Sequence, residues 1–121
     1  MHALFEPAME LAENLKDARR QAAALSQELL ETEYQLKVAK AAVERELIKK
    51  VKSEKALGNT LEDRTRIFTR ALDADVNYQG LRKRQAELAL KAEEAKIEVS
   101  FLRDKLTITL AAMKAPDADA G

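Results

Sequence analysis

Two apolar stripes run along this chain, and each is the mirror image of the other about one point. In both stripes the residues recur at alternating intervals of three and four, which is the spacing of a coiled-coil seam. The first stripe is Leu11, Leu15, Ala18, Ala22, Leu25, Leu29, Thr32, Leu36, Ala39 and Val43. The second stripe is Ala74, Tyr78, Leu81, Gln85, Leu88, Ala92, Ala95, Val99, Leu102 and Leu106. When the second is read backwards, every pair sums to 117, with the midpoint between Gly58 and Asn59. The pattern predicts an all-α fold, an antiparallel helical hairpin of two long helices.

The composition agrees with long helices. Charged residues make up 35% of the 121 residues and aromatic residues 4%, with only 3 glycines and 2 prolines, as is typical of coiled coils. We predict one domain over residues 1–114, with helix 1 from about residue 7 to 57, a turn at 58–59 and helix 2 from about 60 to 113. Residues 115–121 have nothing to bury and are predicted to be a disordered tail.

Local signals at the midpoint agree on the turn. Gly58 suits the left-handed conformation that commonly ends a helix. Asn59 or Thr60 is placed to cap the next helix, with Glu62 or Asp63 at the capping-box offset. The turn therefore rests on evidence independent of the stripes.

Helix 2 has a weak point at residues 73–80. This stretch is poor in helix formers, and its interior Gly80 costs about 1 kcal/mol relative to alanine. Asp73 and Asp75 lie there as a possible cation site, but two short carboxylates in a weak helix are more often a local break. We expect a kink or a broken turn in this stretch.

Close to the turn the seam changes phase. Glu46 and Lys50 occupy the seam positions, and the apolar residues move to Leu47 and Val51, which is a stutter in the heptad pattern. We predict a small local core at the tip of the hairpin. Its candidates are Leu47, Val51, Leu57, Leu61, Ile67, Phe68 and Leu72.

One layer of the predicted seam is polar on both sides. Thr32 falls opposite Gln85 in the register that sums to 117. A polar pair inside a seam lowers stability but fixes the register. The alternative is that the two polar residues coincide by chance.

Helix 2 also carries a second row of large apolar residues, Leu90, Ile97, Phe101 and Ile108. A weaker counterpart on helix 1 consists of Leu30, Tyr34, Ala41 and Ile48. A lone hairpin leaves such rows in water, where they usually mark an interface. We therefore expect a homo-oligomer, most simply a two-fold dimer that forms a four-helix assembly. The alternative is that the N-terminal Leu4, Phe5 and Met9 cover the row on helix 2.

Basic residues concentrate near the predicted turn, although the whole chain carries 21 basic and 21 acidic residues. Between Lys37 and Arg70 there are ten basic and five acidic residues, a local net charge of +5. This excess makes nucleic acid a possible partner through phosphate contacts. The candidate residues are Lys49, Lys52, Lys55, Arg64 and Arg66. The alternative is an ordinary solvated surface.

The sequence lacks the patterns of most catalytic and metal sites. It has no cysteine, and its one histidine is His2, at a terminus that is expected to fray. No catalytic or phosphate-loop motif is present, so we expect a non-enzyme without cofactor or metal. The N-terminus lacks the pattern of a secretory signal, and no apolar run approaches the ~20 residues of a membrane span. We expect a cytoplasmic location and no membrane partner.

The segment Lys55-Ala-Leu-Gly-Asn-Thr-Leu-Glu-Asp-Arg, followed by Asp75-x-x-Tyr78 and a long charged helix, resembles short all-helical proteins encoded by phages and prophages. The resemblance covers roughly residues 40–106. In those proteins the glycine and asparagine of the turn are separated by one residue, whereas here they are adjacent. The resemblance implies a phage accessory protein, often encoded near recombination or replication genes, and defines no functional residues. The sequence therefore predicts a non-catalytic interaction protein with a partner of unknown identity, and the alternatives are a nucleic-acid binder and a scaffolding subunit.

Overall fold

The computed structural model describes residues 3–51, 58 and 60–114, and among them it contains three helices and no strand. The helices are α1 (Phe5–Val51), α2 (Leu61–Ala74) and α3 (Val76–Lys114). The predicted all-α class is therefore confirmed. The chain divides into two compact units. The terminal unit contains residues up to Gln27 and from Leu90 onwards, and the central unit contains Glu28–Ala89.

In the terminal unit, the first part of α1 and most of α3 each bury one seam. Ala8 and Leu15 are buried on α1, and Ala92 and Leu102 are buried on α3. The other predicted seam residues of this unit are half-buried: Leu11, Ala18, Ala22, Leu25, Ala95, Val99 and Leu106. An open groove of about 470 Å³ lies between the two helices. Its walls include Ala18 and Leu25 of α1 and Ala95 of α3, in agreement with the predicted pairing of these stretches.

In the central unit, the later part of α1 lies antiparallel to α2 and the start of α3. Glu28 Oε2 lies 3.7 Å from Arg84 Nη2, and Lys40 Nζ lies 5.8 Å from the centre of the Phe68 ring. As the residue number in α1 rises from 28 to 40, the residue number of its contact in α3 or α2 falls from 84 to 68. This is the antiparallel order that the stripes predict. Among the residues of this unit that the structure describes, Thr32, Ala39, Val43, Leu72 and Leu88 are buried.

Thr32 satisfies its polar group within its own helix. The residue is 2% exposed, and its hydroxyl donates to the Glu28 carbonyl at 2.9 Å. Gln85 is half-buried on α3. Since the Thr32 hydroxyl is bonded to α1 itself, the predicted polar layer does not depend on a hydrogen bond between Thr32 and Gln85.

The single helix predicted for residues 60–113 is instead two helices, because the backbone breaks at Asp75. Asp75 has an extended conformation (φ −81°, ψ 114°), and its N–H donates to the Leu72 carbonyl. Its carboxylate Oδ1 accepts from the Tyr78 N–H at 2.7 Å and so caps the start of α3. Gln79 Nε2 also donates to the Leu72 carbonyl, at 3.1 Å. The weak point at 73–80 is therefore a capped break, and the Asp75 carboxylate serves as the cap.

The predicted turn signals are present where the structure describes them. Gly58 has a φ of 116°, in the left-handed region that favours glycine. Thr60 caps α2, since its side chain accepts from the Asp63 N–H at 3.1 Å. Arg64 Nε donates to the Gly58 carbonyl at 3.3 Å. Residues 52–57 and Asn59, which the sequence assigns to the end of helix 1 and to the turn, lie outside the described residues.

The stutter before the turn is confirmed, because Leu47 and Val51 are half-buried whereas Glu46 and Lys50 are exposed. The predicted tip core is partly wrong. Leu72 is buried and Ile67 and Phe68 are half-buried, but Leu61 is 79% exposed. Leu61 is the first residue of α2 and has no preceding helical turn to pack against. Leu57 lies outside the described residues.

Candidate functional site

The large apolar residues Leu90, Ile97, Phe101 and Ile108 form an exposed row on α3, here called the outer row. Their side chains are 63%, 63%, 58% and 70% exposed, respectively. The seam residues Ala92 and Leu102 of the same helix are buried at the same time. All four members of the outer row belong to the terminal unit.

The position of the outer row follows from helix geometry. Each member stands two places after a seam residue, as Ile97 follows Ala95 and Phe101 follows Val99. Two residues turn an α-helix by about 200°. The outer row therefore lies on the side of α3 opposite the seam, and packing of the seam leaves it in water.

Two acidic residues complete the heptad spacing of the outer row. Glu94 and Asp104 are exposed and also follow seam residues by two places, so positions 90, 94, 97, 101, 104 and 108 step by alternating fours and threes. Glu94 also borders the groove between α1 and α3. Lys105 lies beside the row, with its Nζ 5.8 Å from the centre of the Phe101 ring. A cation over an exposed aromatic ring is worth about 0.5–1 kcal/mol. The row is thus a second coiled-coil seam with charged residues at two of its six positions.

The N-terminal residues do not bury the outer row. Phe5 and Met9 are themselves 44% and 52% exposed, and the four row residues keep most of their surface in water. Phe5 and Met9 instead belong to α1, next to the buried Ala8.

The counterpart row on α1 is also exposed and belongs to the central unit. Leu30, Tyr34 and Ile48 are large exposed apolar residues, and Ala41 is exposed between them. Val38 is exposed beside them and, with Tyr34 and Leu81, lines an open groove of about 360 Å³ in the same unit. The sequence interpretation did not include Val38, although it stands two places after the seam residue Leu36.

The basic residues proposed for nucleic acid are partly engaged within the protein. Lys49 Nζ lies 3.6 Å from Glu46 Oε1, and Arg66 Nη2 donates to Asp63 Oδ1 at 2.8 Å. Arg64 uses its Nε on the Gly58 carbonyl. The other two candidates, Lys52 and Lys55, lie outside the described residues. Glu62 and Asp63 also place negative charge in the first turn of α2, where a phosphate would otherwise be favoured.

The grooves offer little for chemistry. The groove of about 330 Å³ between α1 and α2 is lined by Ala42, Val43, Leu47 and Ala71, with Glu46, Lys50, Ala74 and Asp75. Its lining contains no hydroxyl, thiol or imidazole group, and the Asp75 carboxylate is already bonded as a cap. Within the described ranges, no three His, Cys, Asp or Glu side chains cluster so as to hold a metal ion.

None of the helices within the described residues combines the length and the apolar character that crossing a membrane requires. A comparison of the chain with protein-family models, with curated proteins and with solved structures finds no match in any of the three.

Proposed function

We propose that this protein is a non-catalytic coiled-coil interaction protein that acts by helix association through the outer row of α3. The supporting observation is that four large apolar side chains remain exposed at coiled-coil spacing on the face opposite the seam. An exposed apolar row with this spacing is what another helix requires in order to pack. In the simplest form, two copies associate and make a four-helix assembly.

The energetics favour a reversible complex. Full burial of one such side chain is worth about 1.5–3 kcal/mol. Eight side chains from two copies, each about 60% exposed, then contribute roughly 7–15 kcal/mol before the costs of association. Association costs about 4–15 kcal/mol. The gain and the cost are therefore similar, so we expect a weak dimer that depends on protein concentration.

The setting follows from the resemblance to phage accessory proteins. We propose a phage-type accessory factor that is linked to DNA recombination or replication and works in the cytoplasm. Such a factor needs a surface that binds its partners reversibly. We propose that a further protein partner, of unknown identity, binds the exposed apolar residues of α1, which include Tyr34 and Val38. The same surfaces would serve a scaffolding subunit, which differs in assembling many copies instead of two.

Sedimentation velocity over a concentration series tests the proposal. We expect the unaltered protein to shift from monomer to dimer and the double variant Ile97→Ser/Phe101→Ser to stay monomeric. Val76→Ser is the matched control, since Val76 is 87% exposed on α3 but lies outside the outer row. A chain that is monomeric at every concentration rejects the proposal, as does a double variant that dimerises like the control.

Nucleic-acid binding is the second candidate, supported by the net charge of +5 between Lys37 and Arg70. The engagement of Lys49 and Arg66 in local ion pairs weakens this candidate. Its test is an affinity measurement for single- and double-stranded DNA over a salt series. Phosphate contacts would make the affinity fall steeply with salt, and Arg64→Ala would reduce that slope by about one unit. Absence of binding at low salt rejects it.

A further inference from the structure

Resting on the proposed self-association, we propose that the occupant of the outer row is the outer row of a second copy, bound antiparallel about a two-fold axis level with residue 99. In this arrangement residue i of one copy lies opposite residue 198 − i of the other. The contact uses α3 of both copies and is confined to the terminal unit of each.

The order of residues along the row carries this inference. A two-fold interface is made by one surface with itself, and when the axis is perpendicular to the helices the row must match its own reverse. Leu90 mirrors Ile108, Ile97 mirrors Phe101, and the acidic Glu94 mirrors Asp104. Reversal therefore places apolar residues on apolar residues throughout, and no acidic residue falls on an apolar one.

Exposed basic residues lie beside both acidic positions of the row. Lys91 precedes Glu94 by three places, Lys105 follows Asp104 directly, and both lie on the same side of the row. Antiparallel pairing brings Lys91 of one copy and Lys105 of the other alongside the layer formed by Glu94 and Asp104. Lys105 already lies beside the row, over the Phe101 ring. Each acidic layer thus meets two ammonium groups, and its charge is compensated.

A parallel pairing of the same rows keeps these lysines beside the acidic layers but brings further carboxylates together. It places each residue opposite its own copy, so that Glu94 meets Glu94 and Asp104 meets Asp104. It also brings Glu93 of one copy next to Glu98 of the other, in the pairing that parallel coiled coils use for flanking charges. Both copies contribute such a pair, so four flanking carboxylates lie near the Ile97 layer, whereas the antiparallel form opposes only the two Glu98 side chains; this difference disfavours the parallel form.

Disulfide trapping tests the register, and the absence of native cysteine makes each introduced thiol unambiguous. Leu90→Cys protein is mixed with Ile108→Cys protein at a concentration where the dimer forms, and the mixture is oxidised. We expect a disulfide between the two variants and little disulfide within either variant alone. In the antiparallel register, two copies of position 90 lie 18 residues apart along the helix, roughly 27 Å, whereas a disulfide needs Cα atoms within about 7 Å.

Leu90→Cys mixed with Val76→Cys is the control, since position 76 faces no residue of the row in this register. Rapid disulfide formation by Leu90→Cys alone indicates parallel pairing and overturns the inference, although the self-association stands. A dimer in sedimentation that gives no disulfide in any mixture also overturns the inference. A protein that never dimerises overturns the proposed function itself.

A charge exchange at the axis provides a second test. Glu98 lies closest to the axis beside the row, so antiparallel pairing sets it against its own copy. A mixture of Glu98→Lys with unaltered protein is expected to associate roughly threefold more tightly than either protein alone, because the opposed charges then differ in sign. Glu13→Lys, an equal charge change at an exposed position of α1, is the control. Equal affinities in the mixture and in the separate proteins contradict the two-fold register.

Discussion

The carboxylate of Asp75 accepts a hydrogen bond from the Tyr78 N–H at 2.7 Å, and this contact starts α3 immediately after α2 has ended. The two helices are separated by Asp75 alone. The Leu72 carbonyl, which the break would leave without a helical partner, accepts from the Asp75 N–H and from Gln79 Nε2. The break is therefore well hydrogen-bonded and costs little despite interrupting the helix.

Replacement of the cap at Asp75 is expected to destabilise the protein. Asp75→Ala removes the acceptor of the Tyr78 N–H and should lower the free energy of unfolding by about 1 kcal/mol, the usual cost of losing such a cap. Urea denaturation followed by circular dichroism measures the change. Asp73→Ala, which removes the same side chain from within α2, is the matched control, and an equal loss in both variants contradicts the capping role.

Gly58 is expected to tolerate no side chain without strain. Its φ is 116°, and a Cβ placed on it would lie 2.5 Å from Asp63 Cβ. Gly58→Ala should therefore lower the free energy of unfolding by about 1–3 kcal/mol. A melting temperature equal to that of the unaltered protein would argue against the left-handed turn.

The opposite result is expected at Gly80, which lies within α3, where an added Cβ would meet no other atom within 4 Å. Gly80→Ala should raise the free energy of unfolding by about 0.4–1 kcal/mol, because alanine restricts the unfolded chain and favours the helix. Thermal denaturation of the two glycine variants side by side makes each the control of the other. A destabilised Gly80→Ala protein would show that this position contacts another part of the assembly.

Thr32→Val tests whether the Thr32 and Gln85 pair fixes the register of the helices, or whether the Thr32 hydroxyl is simply hydrogen-bonded within its own helix. The Thr32 hydroxyl donates to the Glu28 carbonyl of its own helix, so valine of similar shape should change the free energy of unfolding by less than about 1 kcal/mol. Gln85→Leu is the companion variant on α3. If the pair instead fixes the register, either substitution will change the pattern of amide protection along α1, which hydrogen exchange measures.

The stripes predicted the seam well because a narrow apolar face is a property of local sequence. Leu15, Val43, Leu88 and Leu102 are buried as predicted, and of the twenty seam residues only Ala74 is exposed. Ala74 is the last residue of α2, and the break next to it interrupts the periodicity on which the prediction relied.

The position of the break was beyond sequence reasoning, since Asp73 and Asp75 offer the same side chain two residues apart. Only the backbone shows that Asp75 is extended while Asp73 remains in α2. The outer row was recognised in the sequence as a second apolar row that a lone hairpin leaves in water, and its position opposite the seam came from the structure. The mirror order of the residues in the row bears on self-association only because the buried seam places the row on the outward face of α3.

The capped break also limits how far local opening can travel. The 14-residue α2 is about as short as an isolated helix can be and still form in water, so it relies on α1 for its stability. The backbone hydrogen bonds of α3 begin anew at Asp75. Unfolding that begins in α2 therefore need not extend past that residue. Residues 61–74 can therefore exchange with solvent as a separate segment while the far end of α3 keeps its structure and its outward face.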